Sequence, residues 1–162
     1  MSHLRRDLAL LDRAAASLPR VRPIGPSGAA TTVAHRIETL AIACIDGRFR
    51  DTTDHLLDRD ARDIDTVFVP GASIGLTRAI EESAGLWDAL RIAHDLHGVR
   101  HVRIYEHEDC GKFAELGADN SAAGHYRVAT DAKRKIRQRY PDVTVSYTFL
   151  LLRSTGAVGA VP

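Results

Sequence analysis

The 162-residue chain has a formal net charge of +1, 44% hydrophobic residues and 27% charged residues. That is enough for one domain with a real core and too little for two of ordinary size. The near-neutral balance offers no field for nucleic acid or an anionic membrane surface, and no apolar run approaches the ~20 residues of a membrane helix.

Residues 4–18 place Leu4, Leu8, Leu11, Ala15 and Leu18 on one helical face. Asp7 and Asp12 interrupt the apolar content, so this segment reads as an amphipathic helix and not a signal peptide. A cytoplasmic location follows as the default. Residues 19–32, "PRVRPIGPSGAATT", read as an extended arm. The expected organisation is an N-terminal helix and arm over 1–36, then a single α/β domain over 37–162.

The stretch 37–44 ends in a dense apolar run and reads as a buried strand. Residues 51–60 read as a short helix capped by Asp51 or Thr52. A second strand begins at Ile64 and is stopped by Pro70 and Gly71. A long helix is expected from Thr77 to His97. Its stripe is Ala79, Ser83, Leu86, Leu90 and Ala93, widened by Ile80 and Trp87, with Gly98 at the C-cap. A third strand covers 99–107, a helix covers 121–140, and a fourth strand covers 143–152, followed by a turn at Thr155-Gly156. This alternation predicts an α/β fold, a mostly parallel β-sheet flanked by helices with a C-terminal antiparallel or edge strand. Ligands in such sheets sit outside the carboxyl ends of strands.

Both cysteines fall at such ends. Cys44 closes the first core strand within "ACIDGRF", and His107 and Cys110 open the turn after the third within "HEDCGKF". If the two strands are central and parallel, Cys44, His107 and Cys110 meet in one crevice. Two thiolates and an imidazole suit zinc, and three protein ligands leave a fourth position open for catalysis. Asp46 could occupy that position, or could be held off it by Arg48 in a bidentate pair. In the second case a water takes the position with its pKa lowered toward ~7, and Asp46 can accept its hydrogen bond.

Simpler readings exist for the remaining residues. His55, His101, His94 and His97 read as surface or satisfied histidines. The basic run 133–139 reads as a solvated helix face anchored by Ile136. Phe49, Tyr105 and Phe113 read as core. The "GASIG" turn, residues 71–75, is a weak anion cradle. A Cys44–Cys110 redox pair is the alternative to a metal site.

Cys44-Ile-Asp46-Gly-Arg48 followed by His107-Glu-Asp-Cys110-Gly111 resembles the zinc motif of the β-class carbonic anhydrases, in their compact, short-chain branch. The resemblance covers residues 37–160. It implies Zn2+ held by Cys44, His107 and Cys110, with Asp46 as an additional ligand in a closed state, and a catalytic Asp46–Arg48 dyad. It implies reversible hydration of carbon dioxide to bicarbonate by zinc-bound hydroxide, with Gly71, Ala72 and Gly111 on the substrate side. It also implies a homodimer, or a dimer of dimers, that exchanges the N-terminal helix. Two departures stand out. Pro70-Gly71-Ala72-Ser73 replaces the family's Asn-Ala-Gly-Asn, and the upstream glutamine of the plant-type branch is missing. The alternatives are a zinc hydrolase of carbonyl sulfide or carbon disulfide, and a non-catalytic zinc-binding relative that acts through a partner.

Overall fold

The strand Thr39–Cys44 (β1) is apolar at every position but its first, and alternate side chains serve opposite layers. Leu40 and Ile42 join one buried cluster; Ala41 and Ala43 join another. Only a central strand covered on both faces meets that demand. In the computed structural model β1 lies between Ile64–Val69 (β2) and His101–His107 (β3), paired parallel with each. Thr144–Leu152 (β4) pairs parallel with β3, and Val158–Val161 (β5) pairs antiparallel with β4. The order is β2-β1-β3-β4-β5, a parallel four-strand sheet with an antiparallel edge, as the alternation of elements predicted.

The described residues are 36–60, 63–152 and 158–161, all within the unit Ala34–Pro162. The expected helix over 4–18, the arm over 19–32 and the turn at Thr155-Gly156 lie outside them. No described helix is long and apolar enough to cross a membrane.

Helix Arg50–Asp60 (α1) covers one face of the sheet, with Leu56, Leu57 and Phe49 against Ala41, Ala43 and Tyr105. The other face carries three helices: Ile74–Thr77 (α2), Ile80–Asp95 (α3) and Ala122–Arg139 (α5). Their side chains Leu76, Leu90 and Ile136 pack with Ile42 and Ile104, each buried to 2% exposure or less. Each such side chain contributes roughly 1.5–3 kcal/mol by leaving water. The short helix Gly111–Glu115 (α4) follows β3 directly.

Three boundaries differ from the sequence-based expectation. The helix predicted from Thr77 to His97 is two helices, broken at Arg78, whose backbone is extended. The Thr77 carbonyl there accepts from Lys135 Nζ at 2.6 Å and is drawn out of the helical ladder. Ala79 is therefore an exposed N-cap and not part of the buried stripe, whereas Ser83, Leu86, Trp87, Leu90 and Ala93 are buried. Residues Asp51 and Thr52 do not cap the first helix. A 3-10 turn, Gly47–Phe49, runs straight into α1, and Asp46 caps that turn. Helix α4 was not anticipated, since five residues carry no readable periodicity.

From β1 the chain crosses to β2 on one side, then returns to place β3 on the other. The first crossover, α1, covers the opposite face from the second, α3. The carboxyl ends of β1 and β3 thus flank a topological switch point, where open α/β sheets hold their ligands.

Candidate metal centre

Cys44 ends β1, His107 ends β3, and Cys110 is the residue before α4. Parallel pairing of β1 and β3 brings these three side chains together across 66 residues of sequence. One ligand atom from each lies within 4.8 Å of the others. The two sulfurs are 4.0 Å apart, and both thiols are free. Tetrahedral zinc with bonds of ~2.3 Å would set them about 3.8 Å apart.

His107 gives the decisive test of fit. Its Nδ1 donates to the Glu108 carbonyl at 2.8 Å, so Nε2 carries the lone pair. That Nε2 is buried and has no hydrogen-bond partner among the described residues. An unpartnered acceptor facing the half-buried Cys44 and buried Cys110 sulfurs is costly unless something binds it. A soft-to-borderline cation satisfies all three atoms at once. The ring itself is fixed by stacking on Phe49, with centroids 4.4 Å apart.

The electrostatics point the same way. The Cys110 thiol beside Cys44 pulls the Cys44 thiol down, helped by the His107 side chain and the Gly71 N–H, against the opposing effect of burial. Cys44 in turn pushes Cys110 up, as does burial. The two thiols thus pull each other's ionisation in opposite directions, and a cation bound between them would favour the ionised form of both. Burial opposes charge on His107, but the Cys44 sulfur and the Glu108 carbonyl outweigh it and raise its pKa.

Asp46 does not join the cluster. Arg48 grips its carboxylate through both oxygens: Nε lies 3.1 Å from Oδ1 and from Oδ2, and Nη2 lies 2.7 Å from Oδ2. The Arg48 backbone N–H adds a bond of 3.0 Å to Oδ1. These bonds hold the Asp46 carboxyl below the usual carboxylate range. The Oδ2 atom still stands 3.9 Å from His107 Nε2, at the edge of the site. Arg48 also bonds Asp109, at Oδ2 and at the backbone carbonyl, both at 2.9 Å. It thereby ties the two sequence motifs to each other.

The turn after β2 completes the wall. Gly71 donates its N–H to Cys44 Sγ at 3.3 Å. A side chain there would lie 2.7 Å from Ile74 Cγ2, and its φ of +71° is strained for other residues. Ala72 is fully buried, and Gly111 is exposed. Of the three expected substrate-side residues, Gly71 is engaged with a sulfur and only Gly111 faces solvent.

A protein-family model described as "Putative carbonic anhydrase" matches residues 34–154. The chain belongs to this family. Among similar proteins, an uncharacterised protein of Rickettsia bellii is 31% identical over 127 residues, spanning 70% of this chain and 75% of that one. An uncharacterised protein of Rickettsia conorii is 29% identical over 127 residues, spanning 70% of this chain and 66% of that one. Among solved structures, the β-carbonic anhydrase of Aspergillus fumigatus aligns with a TM-score of 0.52 at 16% identity, over 98% of this chain and 88% of that one. The carbonic anhydrase of Streptococcus mutans aligns with a TM-score of 0.51 at 15% identity, over 100% and 99%. These two likenesses show that the chain has the β-carbonic anhydrase fold.

Several residues around the centre escaped sequence reasoning. Asp109 has no periodic signature, being a left-handed turn residue with φ +54°. Buried Glu106 and His125 and half-buried Asn120 form a hydrogen-bonded polar set behind Cys110. A signal for His125 existed: it lies on the stripe of Ala129, Ala132 and Ile136, where a polar side chain is out of place. His101 bonds Thr144 and Ser146 at the far end of β3, and His55 is exposed on α1. In the basic run of α5 Ile136 is buried and Lys133, Arg134, Arg137 and Arg139 are exposed, as expected, whereas Lys135 is half-buried and bonds the Thr77 carbonyl.

Proposed function

We propose that this protein is a zinc enzyme that hydrates carbon dioxide reversibly to bicarbonate. The observation that carries this reading is the unpartnered His107 Nε2 facing the Cys44 and Cys110 sulfurs, with Asp46 held beside them by Arg48. Cys44, His107 and Cys110 would hold the ion; bound there, it supplies a Lewis acid that makes water a nucleophile near neutral pH.

The chain's own residues do the rest. Arg48 keeps Asp46 in one orientation and ionised, so Oδ2 stays an acceptor. Asp46 Oδ2 accepts the hydrogen bond of the attacking water and directs its lone pair away from the carboxylate and toward the carbon. Arg48 also keeps Asp46 from becoming a fourth ligand; released, Asp46 would close the site. Burial of Cys110 and His107 excludes bulk water from the ligand side. Gly71, Ala72 and Gly111 belong to the substrate side in this reading, with Gly111 the most accessible. A homodimer, or a dimer of dimers, that exchanges the 1–36 arm is part of the same proposal, and sedimentation of the full chain against a chain starting at residue 37 tests it.

Stopped-flow hydration of carbon dioxide by the zinc-loaded chain, near pH 7 and near pH 9, tests the reaction. Turnover is expected at both, since Asp46 is bound to Arg48. Turnover only at the higher pH would mean that Asp46 closes the site at neutral pH. No turnover at either, with zinc bound, would overturn the reading. Carbonyl sulfide and carbon disulfide would then be the next substrates, because Pro70-Gly71-Ala72-Ser73 departs from the family beside the metal.

A further inference from the structure

Behind the metal ligands lies a fully buried pair, Glu106 and His125, each with 0% exposure, that the proposed reaction does not use. His125 Nδ1 meets Glu106 Oε2 at 2.9 Å, and His125 Nε2 meets Asn120 Oδ1 at 2.9 Å. Asn120 faces the backbone of Cys110: its Oδ1 accepts the Cys110 N–H at 3.1 Å, and its Nδ2 donates to the Cys110 carbonyl at 3.1 Å. At the other end, Glu106 Oε1 accepts the Ser73 N–H at 2.8 Å. Phe113 stacks on the His125 ring, with centroids 3.6 Å apart.

Proton counting fixes how this chain is wired. A flipped Asn120 amide would set NH2 against the Cys110 N–H and oxygen against the Cys110 carbonyl, so the orientation is determined. Asn120 Oδ1 is then an acceptor, and His125 Nε2 must carry a hydrogen. One further proton lies between His125 Nδ1 and Glu106 Oε2. Whichever of the two holds it, the pair is neutral overall, and both ring nitrogens of His125, both carboxylate oxygens of Glu106 and both polar atoms of the Asn120 amide have partners. Three residues, Glu106, Asn120 and His125, are thus bound to the two turns that frame the metal centre: Ser73 in the turn after β2, and Cys110 in the turn after β3.

We propose that Asn120 and His125 are positioning residues for the metal centre, with Glu106 as their anchor. Resting on the metal-site reading above, this assigns them the placement of the Cys110 sulfur relative to Cys44 and His107. Asn120 holds the Cys110 backbone through its two polar groups, and His125 holds Asn120. Loss of either leaves buried donors and acceptors open, and the turn relaxes to satisfy them. The consequence falls on metal affinity and geometry, as for outer-shell partners in general.

Cobalt(II) added to the full chain is the probe, read by the sulfur-to-cobalt charge-transfer band, the visible d–d bands and competition with a chelator. Measurements are made where circular dichroism shows the metal-free chain folded. Asn120→Leu and His125→Phe are expected to weaken Co2+ binding by about 10- to 100-fold and to shift the d–d bands. Glu106→Gln is expected to stay within a few-fold of wild type. Its amide can donate to His125 Nδ1 and its carbonyl can accept from Ser73, whereas Glu106→Leu should behave like the other two. If Asn120→Leu or His125→Phe does not fold, Asn120→Asp replaces it, retaining the acceptor for Cys110 N–H and for His125 while setting an oxygen against the Cys110 carbonyl. Wild-type affinity and spectra in folded Asn120 and His125 variants would overturn the positioning role while leaving the metal site standing. Absence of any thiolate band in the wild-type chain would instead overturn the metal reading, and the positioning role with it.

Discussion

Arg48 Nη2 stands 2.7 Å from Asp46 Oδ2, and the same guanidinium reaches Asp109 Oδ2 at 2.9 Å with Nη1. One side chain thus holds two carboxylates, one from each sequence motif. The Asp46 carboxylate stands 3.9 Å from His107 Nε2 and is held in place by a planar fork that a lysine could not reproduce.

Replacing Asp46 by Asn should lower carbon dioxide hydration by about 100- to 10,000-fold while zinc stays bound, because the acceptor becomes a group that can turn its NH2 toward the water. Stopped-flow rates with metal content measured on the same sample decide it. A variant that keeps both rate and metal would remove Asp46 from the mechanism.

Arg48→Ala should have a different signature. The freed Asp46 carboxylate lies only 3.9 Å from His107 Nε2 and can reach the fourth ligand position. Zinc content should be unchanged or higher, and activity should be lost. A cobalt spectrum in Arg48→Ala identical to that of wild type would show that Asp46 does not move.

Metal loading should rise with pH. Cys44 and burial push the Cys110 thiol up, and its proton must leave when a cation binds. Raising the pH removes the competing proton, so apparent affinity increases by about tenfold per unit for each proton released. His107, whose pKa is raised, competes in the same direction: it is charged below its folded pKa and must be neutral to bind. Isothermal titration in two buffers of different ionisation enthalpy counts the protons. A flat profile between pH 6 and pH 8 would mean that both thiols are already ionised.

Metal binding should stabilise the fold, since the three ligands come from two strand ends and a turn that converge only when folded. Zinc at 100 to 1,000 times its dissociation constant should add about 2.7–4.1 kcal/mol to unfolding. Chelation should remove that increment, and Cys110→Ser should show little of it. Thermal unfolding with and without chelator measures the difference. An equal midpoint in both would contradict a folded-state site.

Gly124 should tolerate no side chain. A Cβ at that position would lie 1.9 Å from the Asp119 carbonyl oxygen. That contact lets the loop before α5 fold back on the helix and present Asn120 to Cys110. Gly124→Ala should destabilise the chain by about 1–3 kcal/mol through overpacking. Urea unfolding reads this directly, and an unchanged midpoint would show that the loop adjusts freely.

Much of the fold was legible in local pattern. Leu40, Ile42, Ala41 and Ala43 demand burial on both faces of β1, and the alternation of strands and helices implies parallel pairing. The centre was legible because the only two cysteines, His107, Asp46 and Arg48 all follow apolar strands. The break at Arg78 was not, because it depends on Lys135 arriving from α5 to take the Thr77 carbonyl. Asp109 as the second partner of Arg48 was not either, because turn residues carry no period.

By itself, the sequence determined which strands are buried and which side chains stand at their ends, since burial and periodicity are local properties of the chain. Only the tertiary structure decided that His107 Nε2 is left without a partner among the described residues, that Asp46 is turned to Arg48, and that Glu106, His125 and Asn120 lie behind Cys110. Each of these depends on distances between residues far apart in sequence. Hydrogen bonds are satisfied or left open only once the strands have set those distances.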